Sequence, residues 1–194
     1  MVEKLTNNSF KLKTTSRETS PSSIWIPQNH GILKMNVDIS FTKADCFIGI
    51  GFILRYSNGL FICASSDSGL AGNVEEAECK GILSAVCRGT SLKLKEVIIE
   101  FDCRGAINYL QGKDSNISWT ANNVLDEAIH TASTFGLTIS FSFCLRTGNQ
   151  FAHLLAGYAQ TSSLVPILFN IDWLLSQICL DKLFYNYMKS VDSE

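Results

Sequence analysis

The sequence predicts an α/β fold in which helices flank a mixed five-stranded sheet whose first three strands are antiparallel. Three observations carry that expectation. Short alternating or apolar runs fill residues 32 to 64, with a hairpin signal between two of them. An amphipathic stretch then leads into a β-branched run, and further helical stretches enclose a last alternating run. A strand, a helix and a strand in succession require a crossover, which leaves the helix packed on the sheet.

In Ile32 to Ile39, Leu33, Met35, Val37 and Ile39 alternate with Lys34, Asn36 and Asp38, the pattern of a strand with one apolar face. Cys46 to Leu54 and Leu60 to Ala64 are two more strands, and Asn58-Gly59 between them is a strong hairpin signal. Asn73 is a good N-cap for a helix whose stripe is Val74, Ala77, Gly81, Ile82, Ala85 and Gly89. Val97 to Phe101 is the fourth strand, followed by a short helix from Arg104 to Leu110 ended by Gly112. A helix from about Ala121 to Phe135 stops at Gly136. Thr138 to Cys144 alternates as the fifth strand, and Asn149 to about Gln160 is a helix with Ala152, Leu155, Ala156 and Ala159 as its stripe.

The chain of 194 residues, 46% of them hydrophobic, suits one domain with a substantial core. Residues 1–23, rich in Ser, Thr, Asn and Lys, read as a disordered leader or linker, residues 24–162 as the domain, and residues 163–194 as a helical extension. That last helix begins near Asp172, and its apolar residues, Trp173 among them, are expected to pack back on the domain, with docking of a protein partner as the alternative. Sixteen Lys and Arg against eighteen Asp and Glu give no global positive field, although a local basic patch stays open. No apolar run is long enough to span a membrane and the N-terminus has no apolar signal core, so the expectation is an intracellular protein, cytoplasmic or nuclear and not secreted. Seven cysteines, odd in number and without a Cys-x-x-Cys pair, read as reduced core thiols rather than a disulfide framework or zinc site.

Glu78 falls inside the packed stripe of its helix, where a charge is costly unless something cationic or hydrogen-bonding meets it. Asp38 sits near the end of the first strand and Asp102 ends the fourth, and strand ends at a switch in strand order are where sites form. Like charges about 5 Å apart repel by roughly 3 kcal/mol at an effective dielectric near 20, so three carboxylates gather only around a cation or with raised pKa values. Magnesium or manganese suits oxygen ligands of this kind. Each residue also has an ordinary alternative. Asp38 alone is a solvent-facing strand residue, Asp102 an N-cap for the next helix, and Glu78 an edge residue reaching water. His153 alone is a partly exposed helix residue, and Arg146 and Asn149 cap and anchor the last helix as readily as they contact a phosphate.

Five stretches in order complete a resemblance. They are Trp25-Ile-Pro27 leading into Lys34-Met-Asn-Val-Asp38; Gly49-Ile-Gly-Phe-Ile-Leu-Arg55 with Asn58-Gly59; Glu76-Ala-Glu78; Glu100-Phe-Asp102; and Arg146-Thr-Gly-Asn149 followed by Ala152-His-Leu-Leu-Ala156. Over residues 25 to 160 the chain resembles the RNase H-like domain of plant proteins and plant non-LTR retroelements. The resemblance implies that Asp38, Glu78 and Asp102 bind magnesium or manganese in an endonuclease hydrolysing the RNA strand of RNA/DNA hybrids. Arg146 and Asn149 would bind substrate. Two departures stand out. His153 occupies the place of a fourth Asp in the family motif, where a neutral imidazole adds no negative charge and suits manganese better than magnesium. Ile39 replaces a Gly after the first carboxylate, and the strand alternation turns it inward with Val37. The rival expectation is a domesticated module that keeps the fold, has lost catalysis, and binds nucleic acid or protein; a non-functional retroelement remnant is a third.

Overall fold

The computed structural model describes residues 31–162 and 167–169. The expected leader, the Trp25 motif and the helix near Asp172 lie outside the described residues. In chain order the elements are β1 (Leu33–Ser40), β2 (Phe47–Arg55), β3 (Phe61–Leu70), α1 (Val74–Ser91), β4 (Glu96–Phe101), α2 (Arg104–Leu110), α3 (Trp119–Thr134), β5 (Thr138–Phe143), a 3-10 turn (Arg146–Gly148), α4 (Gln150–Ser162) and β6 (Ile167–Phe169). The sheet order is β5-β4-β1-β2-β3-β6. β1, β2 and β3 are antiparallel in succession, β4 runs parallel to β1, and β5 parallel to β4.

The five expected strands are therefore present in the expected arrangement. The hairpin between β2 and β3 closes at Asn58-Gly59, where Gly59 takes a positive φ of 91° and Tyr56 N–H donates to the Leu60 carbonyl at 2.8 Å. Three local differences have physical causes. β3 continues past Ala64 through Ser65, Ser66, Asp67 and Ser68, because pairing with β2 along this length outweighs their weak strand propensity. α3 begins at Trp119, capped by the Ser118 hydroxyl, two residues earlier than the apolar stripe marks. Residues 167–169, assigned from sequence to the helical extension, form β6 and pair antiparallel with Ala64 to Ser66. Short apolar runs of this kind do not distinguish strand from helix by periodicity.

One face of the sheet is apolar. Met35, Val37, Ile39, Ile50, Phe52, Ile99 and Phe101 meet Ala77, Ile82 and Ala85 of α1 and Leu125 and Ala128 of α3 in the main core. Ile39 does turn inward with Val37, and it does so where α1 offers Gly81: a Cβ there would lie 2.5 Å from Ile39 Cγ2.

The opposite face of the sheet is covered as well. The polar alternates of β1 do not face solvent, because β1 is a central strand and α4 covers its second side. Lys34, Asn36 and Asp38 are all buried. Lys34 Nζ meets Glu100 Oε1 at 2.8 Å, Asn36 Nδ2 donates to Glu100 Oε2 at 2.9 Å, and an Arg55 guanidinium nitrogen donates to Asn36 Oδ1 at 2.8 Å. A buried carboxylate, amide and two cations thus satisfy one another, as burial of charge requires.

α4 lies unusually close to the sheet. A Cβ at Gly49 would overlap the Ala156 carbonyl, and one at Gly51 the Ala152 carbonyl. Glycine inside a strand here serves close approach of another backbone. Because Gly51 is paired with Asp38, the same contact brings the first turns of α4 over the end of β1.

Candidate carboxylate site

Asp38 and Asp102 come from neighbouring parallel strands. Asn36 is paired with Glu100 in the β1–β4 register, and two residues further along both chains are Asp38 and Asp102, on the same face. Asp38 is 0% exposed; its Oδ1 accepts the Ile39 N–H at 2.8 Å. Its Oδ2 lies 3.1 Å from His153 Nδ1 on α4. The solvent-facing alternative for Asp38 is thereby removed.

Asp102 is not an N-cap. That position in α2 belongs to Cys103, which makes no side-chain capping bond. Asp102 Oδ2 instead lies 3.3 Å from Nε of Arg146, whose side chain is 62% exposed, while Asp102 Oδ1 is buried without a hydrogen-bond partner.

Glu78 approaches from α1, whose N-cap Asn73 accepts the Glu76 N–H at 2.9 Å. Its Oε2 is also buried and unpartnered. Burial first, then the Asp102 and Asp38 carboxylates, push the Glu78 pKa up to about 8. Burial and the Asp102 carboxylate push Asp38 up to about 6, opposed by the Ile39 hydrogen bond, His153 and Arg146. Asp38 and Glu78 thus each feel the Asp102 carboxylate, and Glu78 feels Asp38 as well.

Asn149 is 2% exposed, and its amide donates to the Val37 carbonyl at 2.6 Å. Of its two alternatives, anchoring of the last helix is the one this geometry carries: Asn149 ties the start of α4 to β1, one residue before Asp38. His153 is 46% exposed and stands at the rim, touching Asp38 as well as solvent.

The orphaned oxygens of Glu78 and Asp102, together with the raised pKa values of Glu78 and Asp38, form a donor set that fits a hard divalent ion. Among the described residues, no three His, Cys, Asp or Glu side chains form a ready-made metal cage. Six cysteines among the described residues are free; Cys79 lies in the core and Cys63 and Cys103 pack partly buried against it, as expected of core thiols, whereas Cys87 is exposed.

Sequence reasoning missed the Gly49 and Gly51 contact and the Lys34, Asn36, Arg55 and Glu100 network. Alternate glycines within an apolar strand were a usable signal for the first. Nothing in β1 alone marks its polar face as buried, since that depends on α4, more than a hundred residues away.

The reverse transcriptase-like family model matches residues 36–159. No curated protein matches the chain. Among solved structures, RNase H1 from the halophilic archaeon Halobacterium salinarum aligns with TM-score 0.62 at 16% identity, covering 69% of this chain and 100% of that one. LC11-RNase H1, isolated from compost by a metagenomic approach, aligns with TM-score 0.60 at 17% identity over 69% of this chain and 99% of its own. The same enzyme in complex with an RNA/DNA hybrid gives TM-score 0.55 at 19% identity, with the same coverages of 69% and 99%. At such identities the likeness is one of fold, and no helix among the described residues is long and apolar enough to cross a membrane. With the family match spanning both Asp38 and His153, the chain belongs to the reverse transcriptase-like family and carries the RNase H fold.

Proposed function

We propose that this protein is a divalent-metal-dependent nuclease that binds RNA/DNA hybrids and hydrolyses their RNA strand. One observation carries the reading: Glu78 Oε2 and Asp102 Oδ1 are buried and unpartnered, and Glu78 lies within the electrostatic reach of Asp38 and Asp102. Such an arrangement costs stability by itself and is made good by a cation. The choice of substrate is supported by LC11-RNase H1, a protein of the same fold whose structure holds an RNA/DNA hybrid.

Asp38, Glu78 and Asp102 would hold magnesium or manganese. A bound divalent ion supplies Lewis acidity toward a phosphodiester and lowers the pKa of attacking water. His153, with Nδ1 at Asp38, would stand at the rim of the site and hold the Asp38 carboxylate in place. Arg146 offers an exposed guanidinium to a phosphate while offsetting Asp102. Asn149 holds α4, and with it His153, in register with β1. Hybrid preference would come from groove shape and the 2'-hydroxyls of the RNA strand.

The five ordered sequence motifs extend this reading to an origin among plant proteins and plant non-LTR retroelements, and the free cysteines agree with an intracellular setting. The same reading takes residues 24–162 as the domain, with β6 at residues 167–169 adding to the edge of its sheet.

A second reading, a module that binds nucleic acid without cutting it, is favoured by His153 in place of an acid. Incubating folded protein with labelled hybrid separates the two. The nuclease reading expects cleavage by the wild type that disappears in Asp102→Asn; binding without cleavage in either metal selects the module.

A further inference from the structure

Trp119 is the most exposed large apolar side chain among the described residues, at 72%. Nothing in the packing of α3 asks for it, since the buried face of that helix is made by Ala121, Leu125, Ala128 and Ala132. Its position is closely determined all the same. The preceding residue, Ser118, donates its backbone N–H to Glu75 Oε2 at 3.0 Å, which ties the start of α3 to the first turn of α1, one turn before Glu78. Ile117 packs on the start of α2, where a Cβ at Gly105 would lie 3.1 Å from Ile117 Cγ2, three residues after Asp102. The segment carrying Trp119 is thus tied to α1, which carries Glu78, and to α2, which begins two residues after Asp102, and Val74 is exposed on that same first turn of α1. The Trp119 indole is left in water, and contacts on both flanks fix the segment that carries it to the first turn of α1, which leads to Glu78, and to the start of α2, which follows Asp102.

We infer that Trp119 is a substrate-positioning residue that lays its indole in the minor groove of the bound hybrid, against the sugars and base edges next to the scissile phosphate. The inference rests on the nuclease reading above. A hybrid helix of A-like form has a wide, shallow minor groove that admits a flat ring, whereas the minor groove of B-form DNA is only about 6 Å wide. Trp119 therefore contributes to hybrid selectivity as well as to affinity, and its contact is apolar, in keeping with a chain that has no excess of basic residues.

The test measures equilibrium binding of a labelled RNA/DNA hybrid and of duplex DNA of the same sequence, in the Asp102→Asn background to prevent cleavage. Trp119→Ala and Trp119→Phe are compared with the parent, and the steady-state kinetics of Trp119→Ala are measured in the otherwise wild-type chain. Trp119→Ala is expected to weaken hybrid binding about tenfold, within the range seen when an aromatic contact to a nucleotide is removed. Duplex DNA binding should change little, KM should rise with kcat nearly unchanged, and Trp119→Phe should recover most of the affinity. Equal hybrid affinity of the parent and Trp119→Ala would overturn the inference while leaving the nuclease reading intact. Absence of hybrid binding by the folded parent would overturn both.

Discussion

His153 Nδ1 and Asp38 Oδ2 lie 3.1 Å apart, joining the first turn of α4 to the C-terminal end of β1 across the candidate site. The pair exists because α4 is pressed onto β2 at Gly49 and Gly51, and because Asn149 holds the Val37 carbonyl. Where the family motif has a further carboxylate, this chain places an imidazole that offsets Asp38 instead of adding to its charge. The first consequences concern the acids themselves.

The pKa of Glu78 is raised from an ordinary carboxylate value to about 8, so between roughly pH 4.5 and 8 the folded protein holds a proton that the unfolded chain has released. Its contribution to stability is fully present below the unfolded pKa and is lost as pH rises through the folded one. Across that window the slope is up to about 1.4 kcal/mol per pH unit for a single group. In divalent-free buffer, Glu78→Gln should flatten the decline of Tm between pH 5 and 8.5 and raise Tm at pH 8 by several degrees. Parallel Tm profiles for the two proteins would show that Glu78 is not the strained group.

A cation that binds these acids must displace the proton on Glu78, so its affinity should grow as pH rises toward 8. Magnesium at millimolar concentration should raise Tm more at pH 8.5 than at pH 6, and Asp102→Asn should remove most of that shift. This readout is independent of nuclease activity. A shift of equal size in Asp102→Asn would place the ion elsewhere.

Gly51 has no room for a side chain beneath the Ala152 carbonyl. Gly51→Ala should cost about 3 kcal/mol, at the upper end of ordinary overpacking, because backbone and not a flexible side chain must yield. Since Ala152 precedes His153, the variant should also lose activity out of proportion to its residual folded fraction. A denaturant midpoint within error of the wild type would mean that α4 is not held by this contact.

The anchoring role of Asn149 separates stability from substrate binding. Asn149→Ala leaves the buried Val37 carbonyl without its partner, which should cost about 1 to 3 kcal/mol. Hybrid affinity of the folded variant should be nearly unchanged, in contrast to Arg146→Ala, whose exposed guanidinium faces the site rim. The opposite pattern, normal stability with weakened hybrid binding, would return Asn149 to the substrate contacts.

Much of the fold was legible because its signals are local. The alternation of Leu33 to Ile39, the Asn58-Gly59 turn and the Asn73 cap each declare their own element, and the structure contains all three. The acids were legible for a different reason: Glu78 interrupts an apolar stripe, and Asp38 and Asp102 end strands that the crossover makes neighbours. What local pattern could not show was the second cover on the sheet. Lys34, Asn36 and Asp38 look like a wet face until α4 is placed over them, and that placement depends on two glycines in β2 and an asparagine far along the chain. Asn149 was ambiguous for the same cause, since its partner is a backbone carbonyl that leaves no trace in side-chain spacing. The sixth strand escaped notice because Ile-Leu-Phe is too short to carry a period.

The decisive measurement is the initial rate of cleavage of a labelled RNA/DNA hybrid, with magnesium and separately with manganese, for the wild type, Asp102→Asn and His153→Asp. Wild-type cleavage should be better supported by manganese and should be absent in Asp102→Asn. Restoring Asp at 153 should raise the rate in magnesium about tenfold, equivalent to about 1.4 kcal/mol at the transition state. No cleavage by folded wild type or His153→Asp in either metal would contradict the nuclease reading and identify the protein as a binding module.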